Sequence, residues 1–301
     1  MKIRSLLILF LLIQGTFFSL PIRAQDVNVT DLIGRHMTIP KDPRRVVSLA
    51  PNITEIVYAL GQAHRLVGAT TYSDYPAAAD KLPKVGSYVH LDLERIISLA
   101  PDLCLAIKDG NPIASVSRLE SLGVPVYAVD PRDLESVMDS MSRIGGLLQA
   151  EEQAGTLVRD MQRRLMVVES QVAKSDYRPG LFFQIGVSPI VSVGTNTFIH
   201  ELIVRAGARN LSAGDISYPR FSKEQVLGMS PDIIIVTSMA RAAVFEKLKK
   251  DWYQWTDLPA VKNDRIYFKD SNLFDRPSPR LVDALEILVR LIHPDLFEEP
   301  S

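Results

Sequence analysis

Two glutamates occupy matching positions in two similar segments of the chain. Glu94 lies in LERIISLAPDLCLA and Glu224 lies in KEQVLGMSPDIIIV. A carboxylate in the first turn of a helix meets the positive end of the helix dipole, which is a sufficient local reason for each residue. Two exposed carboxylates, one in each half of the chain, also suit ion pairing with a two-fold symmetric partner. Position alone leaves both interpretations open.

Residues with catalytic or metal-binding potential are otherwise sparse. The five histidines are scattered, and His200-Glu201 lacks the rest of a zinc-protease motif. The sequence contains no G-x-S-x-G nucleophile motif and no G-x-x-x-x-G-K phosphate loop. We therefore expect no catalytic residue and no metal site. An exported α/β enzyme that uses a carboxylate pair is a remote alternative, but no two acids are placed to suggest it.

The single cysteine, Cys104, lies inside the apolar run LCLAI. One cysteine cannot form a disulfide within the chain, so hydrophobic cores must stabilise the protein. In a buried strand a thiol behaves mainly as a small apolar side chain. We predict a structural role for Cys104.

The first 24 residues have the organisation of a secretory signal peptide. Lys2 and Arg4 precede an apolar run that contains Gln14, and the small residue Ala24 follows. A membrane-spanning helix needs about 20 apolar residues, more than this run provides. We expect cleavage after Ala24, and the absence of a nearby cysteine argues against a lipid anchor. The mature chain then carries a net charge of about −4 without a basic block, which gives no reason to expect nucleic acid as a partner.

Apolar strands alternate with helices of about ten residues in both halves of the chain, a pattern typical of βαβ units and parallel sheets. RRVVSLAPNITEIVYALG and VSRLESLGVPVYAVD show it in the first half, and LFFQI opens a second series. In both repeated segments a proline ends the helix, an aspartate can accept backbone donors of the turn, and an aliphatic strand follows. The repetition predicts two similar α/β lobes.

A long amphipathic helix separates the two halves. Between Glu151 and about Ala173, apolar residues recur every three or four positions. A helix of this length spans about 35 Å. We predict two Rossmann-like lobes joined by this single rigid helix, with a ligand cleft between them. The expected boundaries are residues 25–148 for the N-terminal lobe, 149–176 for the linking helix and 177–301 for the C-terminal lobe.

Several segments, in the same order, resemble the periplasmic cobalamin-binding proteins of Gram-negative bacteria and the wider family of helix-linked receptors for cobalamin, haem and ferric siderophores. The segments are RVVSLAPNITEIVYALG, TTYSDYP, LERIISLAPDLCLA, KEQVLGMSPDIIIV and FDRPSPR. The resemblance implies a soluble, monomeric periplasmic receptor that performs no chemistry. It would capture cobalamin, a corrinoid, and deliver it to the permease dimer of an ABC importer with its ATPase.

The resemblance also implies roles for particular residues. Glu94 and Glu224 match the surface glutamates, one per lobe, that dock onto permease arginines. Tyr72 would stack on the face of the corrin ring. The expected ligand-binding set also includes residues of the loop before the last helix, and comprises Tyr72, Tyr88, Tyr218, Asn272, Leu273, Phe274, Asp275 and Arg276.

This chain departs from the cobalamin receptors within that set. Asn272 and Leu273 stand where those receptors carry an acidic residue and a tryptophan, and Tyr88 and Tyr218 replace other cleft tryptophans. A tyrosine still offers a flat apolar face with a polar tip. The cleft therefore suits a large macrocycle, and another corrinoid, haem or a ferric siderophore is the alternative ligand. For Asp74 a turn position is the expectation, and for Arg280 a cap of the last helix.

Overall fold

The computed structural model describes residues 26–238 and 242–297. The expected signal peptide, residues 1–24, lies outside the described residues. Within the described ranges, no helix combines the length and the apolar character that a membrane span requires.

The chain begins with an antiparallel hairpin of β1 (Asp26–Thr30) and β2 (His36–Pro40). Gly34 turns the chain between them with φ +85°, a left-handed conformation that glycine adopts without a steric penalty.

The first lobe contains a four-stranded parallel sheet. Its elements, in chain order, are β3 (Val46–Ser48), α1 (Pro51–Ala59), β4 (Leu66–Ala69), α2 (Leu93–Ser98), β5 (Leu103–Ile107), α3 (Ile113–Ser121), β6 (Val126–Val129) and α4 (Leu134–Leu147). The strand order is β4-β3-β5-β6. Successive residues of each strand point to opposite faces, so Leu103 and Leu105 join the core that contains α1 and α4. Cys104 and Ala106 join the core that contains α2 and α3.

The linking helix α5 (Glu151–Val172) follows, as the periodicity predicts. Its 22 residues span about 33 Å at 1.5 Å per residue. Met161, Leu165 and Val168 are buried on one face of this helix. They belong to a hydrophobic cluster that contains residues of both lobes, so the linking helix packs against both and joins their cores.

The second lobe repeats the architecture of the first. Its elements, in chain order, are β7 (Gly180–Gln184), β8 (Gly186–Val187), β9 (Ile190–Val191), α6 (Phe198–Arg205), β10 (Arg209–Asn210), β11 (Arg220–Phe221), α7 (Lys223–Met229), β12 (Ile233–Ser238), α8 (Ala242–Tyr253), α9 (Pro259–Lys262), β13 (Ile266–Asp270), α10 (Ser271–Phe274) and α11 (Leu281–Ile292). A parallel sheet has the order β10-β7-β12-β13, and a small antiparallel sheet has the order β11-β9-β8. The strands are again apolar on both faces because helices cover both.

The repeated aspartates tie each lobe together, but not in the way the sequence suggests. The Arg45 N–H donates to Asp102 Oδ1 (3.0 Å), and the Asp102 N–H donates to the Arg45 carbonyl (2.9 Å). In the second lobe, the Gly180 N–H donates to Asp232 Oδ2 (2.7 Å), and the Asp232 N–H donates to the Gly180 carbonyl (2.9 Å). The expectation that each aspartate caps its own turn is therefore wrong: each one binds the start of the neighbouring strand.

The turn before each aspartate is also repeated. Ala100 and Ser230 adopt left-handed backbone conformations, with φ of 45° and 50°, and each immediately precedes a proline. A left-handed residue is a common way to end a helix. The two lobes thus share the whole helix–turn–strand geometry.

Cys104 is fully buried, and burial raises the pKa of its thiol to about 12. Such a thiol stays protonated at neutral pH and is a poor nucleophile. The predicted structural role of Cys104 is confirmed.

Candidate functional site

A cavity of about 710 Å³ lies between the lobes and is lined by residues from both. Its volume is within the range of about 300–1,000 Å³ that is usual for small-molecule sites. The ends of parallel strands contribute to it: Ile107 and Asp109 at the end of β5, Asp130 after β6, and Ile185 after β7. Ligands of open α/β sheets bind at this edge, outside the carboxyl ends of the strands.

Three of the expected tyrosines line the cavity. Tyr72 and Tyr88 come from loops of the first lobe, and their rings meet edge to face with centroids 6.1 Å apart. Tyr218 comes from the second lobe, in the loop before β11. Tyr72 and Tyr218 are 42% and 44% exposed, so both lobes present an aromatic surface that a ligand can cover. Their contact with a ligand stays a prediction.

The hydroxyls of Tyr88 and Tyr218 are poor acids in this environment. Burial raises the pKa of Tyr88 above its usual value, and Tyr72 and Asp275 add to the effect. Burial likewise raises the pKa of Tyr218, with Asp109 contributing. Both side chains therefore stay neutral at physiological pH and can donate a hydrogen bond.

The short helix α10 divides the predicted loop residues into two sets. Asn272, Asp275 and Arg276 line the cavity, together with Ser271, which was not among the predicted residues. Their spacing is that of one helical face. Leu273 and Phe274 point the other way and pack in the core of the second lobe rather than in the cavity wall.

Phe274 is 1% exposed and packs beside Phe183, with ring centroids 6.2 Å apart. Leu273 packs against the same core. The prediction that Leu273 and Phe274 face the ligand is therefore corrected: these two residues attach α10 to the second lobe.

Asp275 is the carboxylate with the most unusual environment in the cavity wall. Its Oδ1 accepts a hydrogen bond of 2.9 Å from the Thr237 hydroxyl. Burial raises the pKa of Asp275 to about 7; the Thr237 bond and Arg276 oppose this rise and Asp270 adds to it. Near neutral pH this group is therefore divided between its protonated and ionised forms.

Arg276 lies in the cavity wall, and both of its terminal nitrogens already donate hydrogen bonds to the protein. Nη1 donates to Glu55 Oε1 (3.0 Å) and to Asp74 Oδ1 (2.8 Å). Nη2 donates to the Tyr72 carbonyl (2.9 Å) and to Asn272 Oδ1 (2.5 Å). Arg276 lines the cavity, so its direct contact with a ligand stays a prediction. It joins the two lobes and holds Tyr72 and Asn272 in the wall.

Glu55 is the residue that the sequence did not single out. It lies on α1, is 3% exposed, and accepts hydrogen bonds from three residues of the second lobe: Arg276, Ser278 (2.7 Å) and Arg280. Arg280 is the N-cap residue of α11, as expected, but its side chain binds the Glu55 carboxylate of the other lobe and forms no cap hydrogen bond. A single charged residue within the apolar stretch NITEIVYAL is the signal that could have revealed this site.

Three charged residues on the cavity wall also escaped the sequence prediction. Arg132 Nε lies 3.0 Å from Asp130 Oδ1, and Arg132 Nη2 lies 3.3 Å from Asp109 Oδ2. Asp130 is the first residue after β6 and Asp109 is the second residue after β5, at the edge where ligands of parallel sheets bind. Strand ends were the signal that could have identified them.

Glu94 and Glu224 are equivalent in structure as well as in sequence. Each is the second residue of its helix, after a cap at Asp92 or Ser222 whose side chain accepts a backbone N–H. Both are exposed, and neither forms an ion pair with another described residue. A hydrogen bond from its own N–H, and one from Ser222, lower the pKa of Glu224. Both glutamates therefore lie in the first turn of a helix, where a carboxylate interacts favourably with the helix dipole. Both carboxylates also remain accessible to a partner.

Within the described residues, no group of three or more His, Cys, Asp or Glu side chains is arranged to hold a metal ion. The site is accordingly a cavity with aromatic walls, a few hydrogen-bonding groups and a charge-paired rim.

Comparison with known proteins identifies the fold and the family. The family model for periplasmic binding proteins matches residues 46–273. An uncharacterised ABC transporter substrate-binding lipoprotein of Bacillus subtilis is 33% identical over 279 residues, which cover 91% of this chain and 87% of that protein.

Two solved structures share the architecture. The periplasmic vitamin B12 binding protein of Vibrio cholerae has a TM-score of 0.73 at 30% identity, covering 85% of this chain and 99% of that one. A periplasmic heme binding protein from Pseudomonas aeruginosa has a TM-score of 0.78 at 28% identity, covering 86% and 95%. With two α/β lobes, a single linking helix and a cavity between the lobes, this chain belongs to the periplasmic binding protein family.

Proposed function

We propose that this chain is the periplasmic receptor of an ABC importer and that it captures a corrinoid, cobalamin, between its lobes. The observation that carries the proposal is the interlobe cavity with tyrosines on both sides, Tyr72 and Tyr88 from the first lobe and Tyr218 from the second. Flat aromatic faces suit a large macrocycle. Similarity to vitamin B12 binding proteins over most of the chain supports the same ligand.

Haem is the second candidate, because the heme binding protein from Pseudomonas aeruginosa has a similarly high structural likeness. Proteins hold haem iron through a His, Cys, Met or Tyr side chain. Among the described residues that line the cavity there is no His, Cys or Met, and the tyrosines are the only such groups. The raised pKa values of Tyr88 and Tyr218 disfavour the phenolate that iron would bind. Cobalamin carries its own axial base and needs no ligand from the protein, so it fits these walls better.

The partner in this proposal is a membrane permease dimer with its ATPase. Glu94 and Glu224 are exposed at equivalent helix positions, one on each lobe. An exposed ion pair stabilises by only about 0–1 kcal/mol, so these contacts would orient docking more than hold the complex. The receptor would be a monomer that reaches the periplasm through its signal peptide and is not an enzyme.

Titration of the mature chain, residues 25–301, tests the ligand. Cyanocobalamin, hemin and a ferric siderophore are added separately, and binding is followed by calorimetry and by the ligand's absorbance. We expect saturable binding of cyanocobalamin, one molecule per chain, at micromolar concentration or below. Binding of hemin without cyanocobalamin would establish the second candidate instead, and binding of none of the three would remove the ligand proposal.

A further inference from the structure

A second cavity, of about 680 Å³, adjoins the first. We call it the polar chamber because every residue that lines it has a polar side chain. Arg132, Asn196 and Thr197 line both cavities, so a ligand in the main cavity can extend into the chamber. The Leu134 N–H of the first lobe donates to Glu201 Oε2 of the second lobe (2.6 Å) at its wall. The chamber therefore lies between the lobes, like the main cavity.

The charges of the polar chamber are paired. Its three basic residues are Lys108, Arg132 and Arg205. Lys108 Nζ lies 2.7 Å from Asp130, Arg132 pairs with Asp130 and Asp109, and Arg205 pairs with Glu201 (2.7 Å) and Glu169. The wall also carries the carboxylates of Asp133 and Glu135. An anionic group would find no unpaired cation among these residues.

Free hydrogen-bonding groups nevertheless face the chamber. The side chains of Asn196, Ser217 and Glu135 have no hydrogen-bond partner among the described residues. An amide such as that of Asn196 donates and accepts, a hydroxyl does both, and a carboxylate accepts. This set complements a group that itself both donates and accepts.

We propose that the polar chamber binds uncharged carboxamide groups at the edge of the ligand and selects an amide-bearing macrocycle over a carboxylate-bearing one. The inference rests on the proposed function, since it assumes a macrocycle in the main cavity. A primary amide can donate to Glu135 and accept from Asn196 or Ser217. A carboxylate can only accept, and it would approach Glu135 and Asp133, which have no basic partner among the described residues, while losing its water. Asn196 is the specificity-determining residue: Arg132 and Thr197 also line both cavities, but their side chains are already paired, whereas that of Asn196 has no hydrogen-bond partner among the described residues.

The test compares cyanocobalamin with a derivative whose side-chain amides are hydrolysed to carboxylic acids. The unmodified mature chain should bind the amide form at least about tenfold more tightly, as expected when a charge must be desolvated near like charges. Asn196→Ala should weaken cyanocobalamin binding by about 2- to 10-fold, the range for one hydrogen bond, and affect the acid derivative less. Ser217→Ala should likewise reduce the preference for cyanocobalamin over the acid derivative.

Asn263→Ala is the matched control, because Asn263 is exposed in the second lobe and lines neither cavity. Thermal unfolding of each variant confirms that it is folded. Equal affinity of the unmodified chain for both corrinoids would overturn the inference alone, as would a preference that Asn196→Ala leaves unchanged. Failure of the unmodified chain to bind either corrinoid would overturn the proposed function with it.

Discussion

The carboxylate of Glu55 in the first lobe binds the guanidinium of Arg280 in the second lobe through two hydrogen bonds. Arg280 Nη2 lies 2.6 Å from Oε1, and Arg280 Nε lies 2.9 Å from Oε2. This paired geometry is the strong form of a charge-assisted hydrogen bond. Because Arg276 and Ser278 bind the same carboxylate, a change in the angle between the lobes here must break several buried bonds. We therefore expect the cluster, together with the linking helix, to resist lobe closure.

Replacement of Glu55 by alanine should destabilise the protein by about 3 kcal/mol, the lower end of the range for breaking a buried pair. The reason is that Arg276 and Arg280, whose side chains are only 10% and 18% exposed, would lose their shared counter-ion. Urea unfolding at neutral pH measures the free energy of unfolding.

The exposed pair of Asp160 and Arg163 provides the control for this change. Asp160→Asn should lower the free energy of unfolding by less than about 1 kcal/mol, because both members of this ion pair are exposed to water. If Glu55→Ala lowered the free energy of unfolding no more than Asp160→Asn does, the interlobe cluster would make no net contribution to stability.

Tyr72 should contribute to ligand affinity through its ring. Tyr72→Ala should weaken cyanocobalamin binding by about tenfold, since an aromatic contact stabilises by about 0.5–1.5 kcal/mol beyond the buried area. Tyr72→Phe keeps the ring and should stay within about twofold of the unmodified chain. Calorimetric titration of both variants makes the comparison.

Tyr177→Ala is the matched control for Tyr72. Tyr177 is 49% exposed, similar to Tyr72, but does not line the cavity. Equal effects of the Tyr72 and Tyr177 changes would contradict a ligand contact at Tyr72.

Asp275 should make ligand binding depend on pH near neutrality. Its pKa in the free protein is raised to about 7 by burial, with Thr237 and Arg276 acting in the opposite direction. A ligand with an uncharged surface would bury the carboxylate further and raise this pKa again, so the complex binds more protons than the free protein. Affinity should therefore fall as pH rises, by up to about tenfold between pH 6 and 8. Dissociation constants measured across this range test the dependence.

Asp275→Asn should remove this pH dependence because the amide does not titrate. Tyr88 and Tyr218 also face the carboxylate, but their raised pKa values keep them neutral throughout the range. The control is Asp257→Asn, since the Asp257 side chain is fully exposed and lies outside the cavity. Affinity that rises with pH in the unmodified chain would contradict the assigned direction.

The sequence predicts the architecture well because its signals are local. The apolar stripe of α5 and the strands that are apolar on both faces follow from the periodicity of apolar residues. The repeated Pro-Asp turn identifies equivalent elements in both lobes. The buried cluster is different, since Glu55 and Arg280 are 225 residues apart and no local pattern connects them. Leu273 was misplaced because the four-residue helix α10 is too short to show a period, although that helix decides which side chains face the cavity.

Glu94 and Glu224 together should control docking without affecting ligand capture. Replacing both by alanine should leave cyanocobalamin affinity nearly unchanged, because neither residue lines the cavity. Association with the permease and its ATPase in detergent or nanodiscs should weaken, and more so at low ionic strength, where exposed charges are least screened. Glu151 and Glu152 provide a matched pair, since they are also exposed acids in the first turn of a helix. If the Glu151→Ala, Glu152→Ala double variant weakened association equally, or if the Glu94→Ala, Glu224→Ala variant associated normally, the helix dipole would be the sufficient explanation for both glutamates.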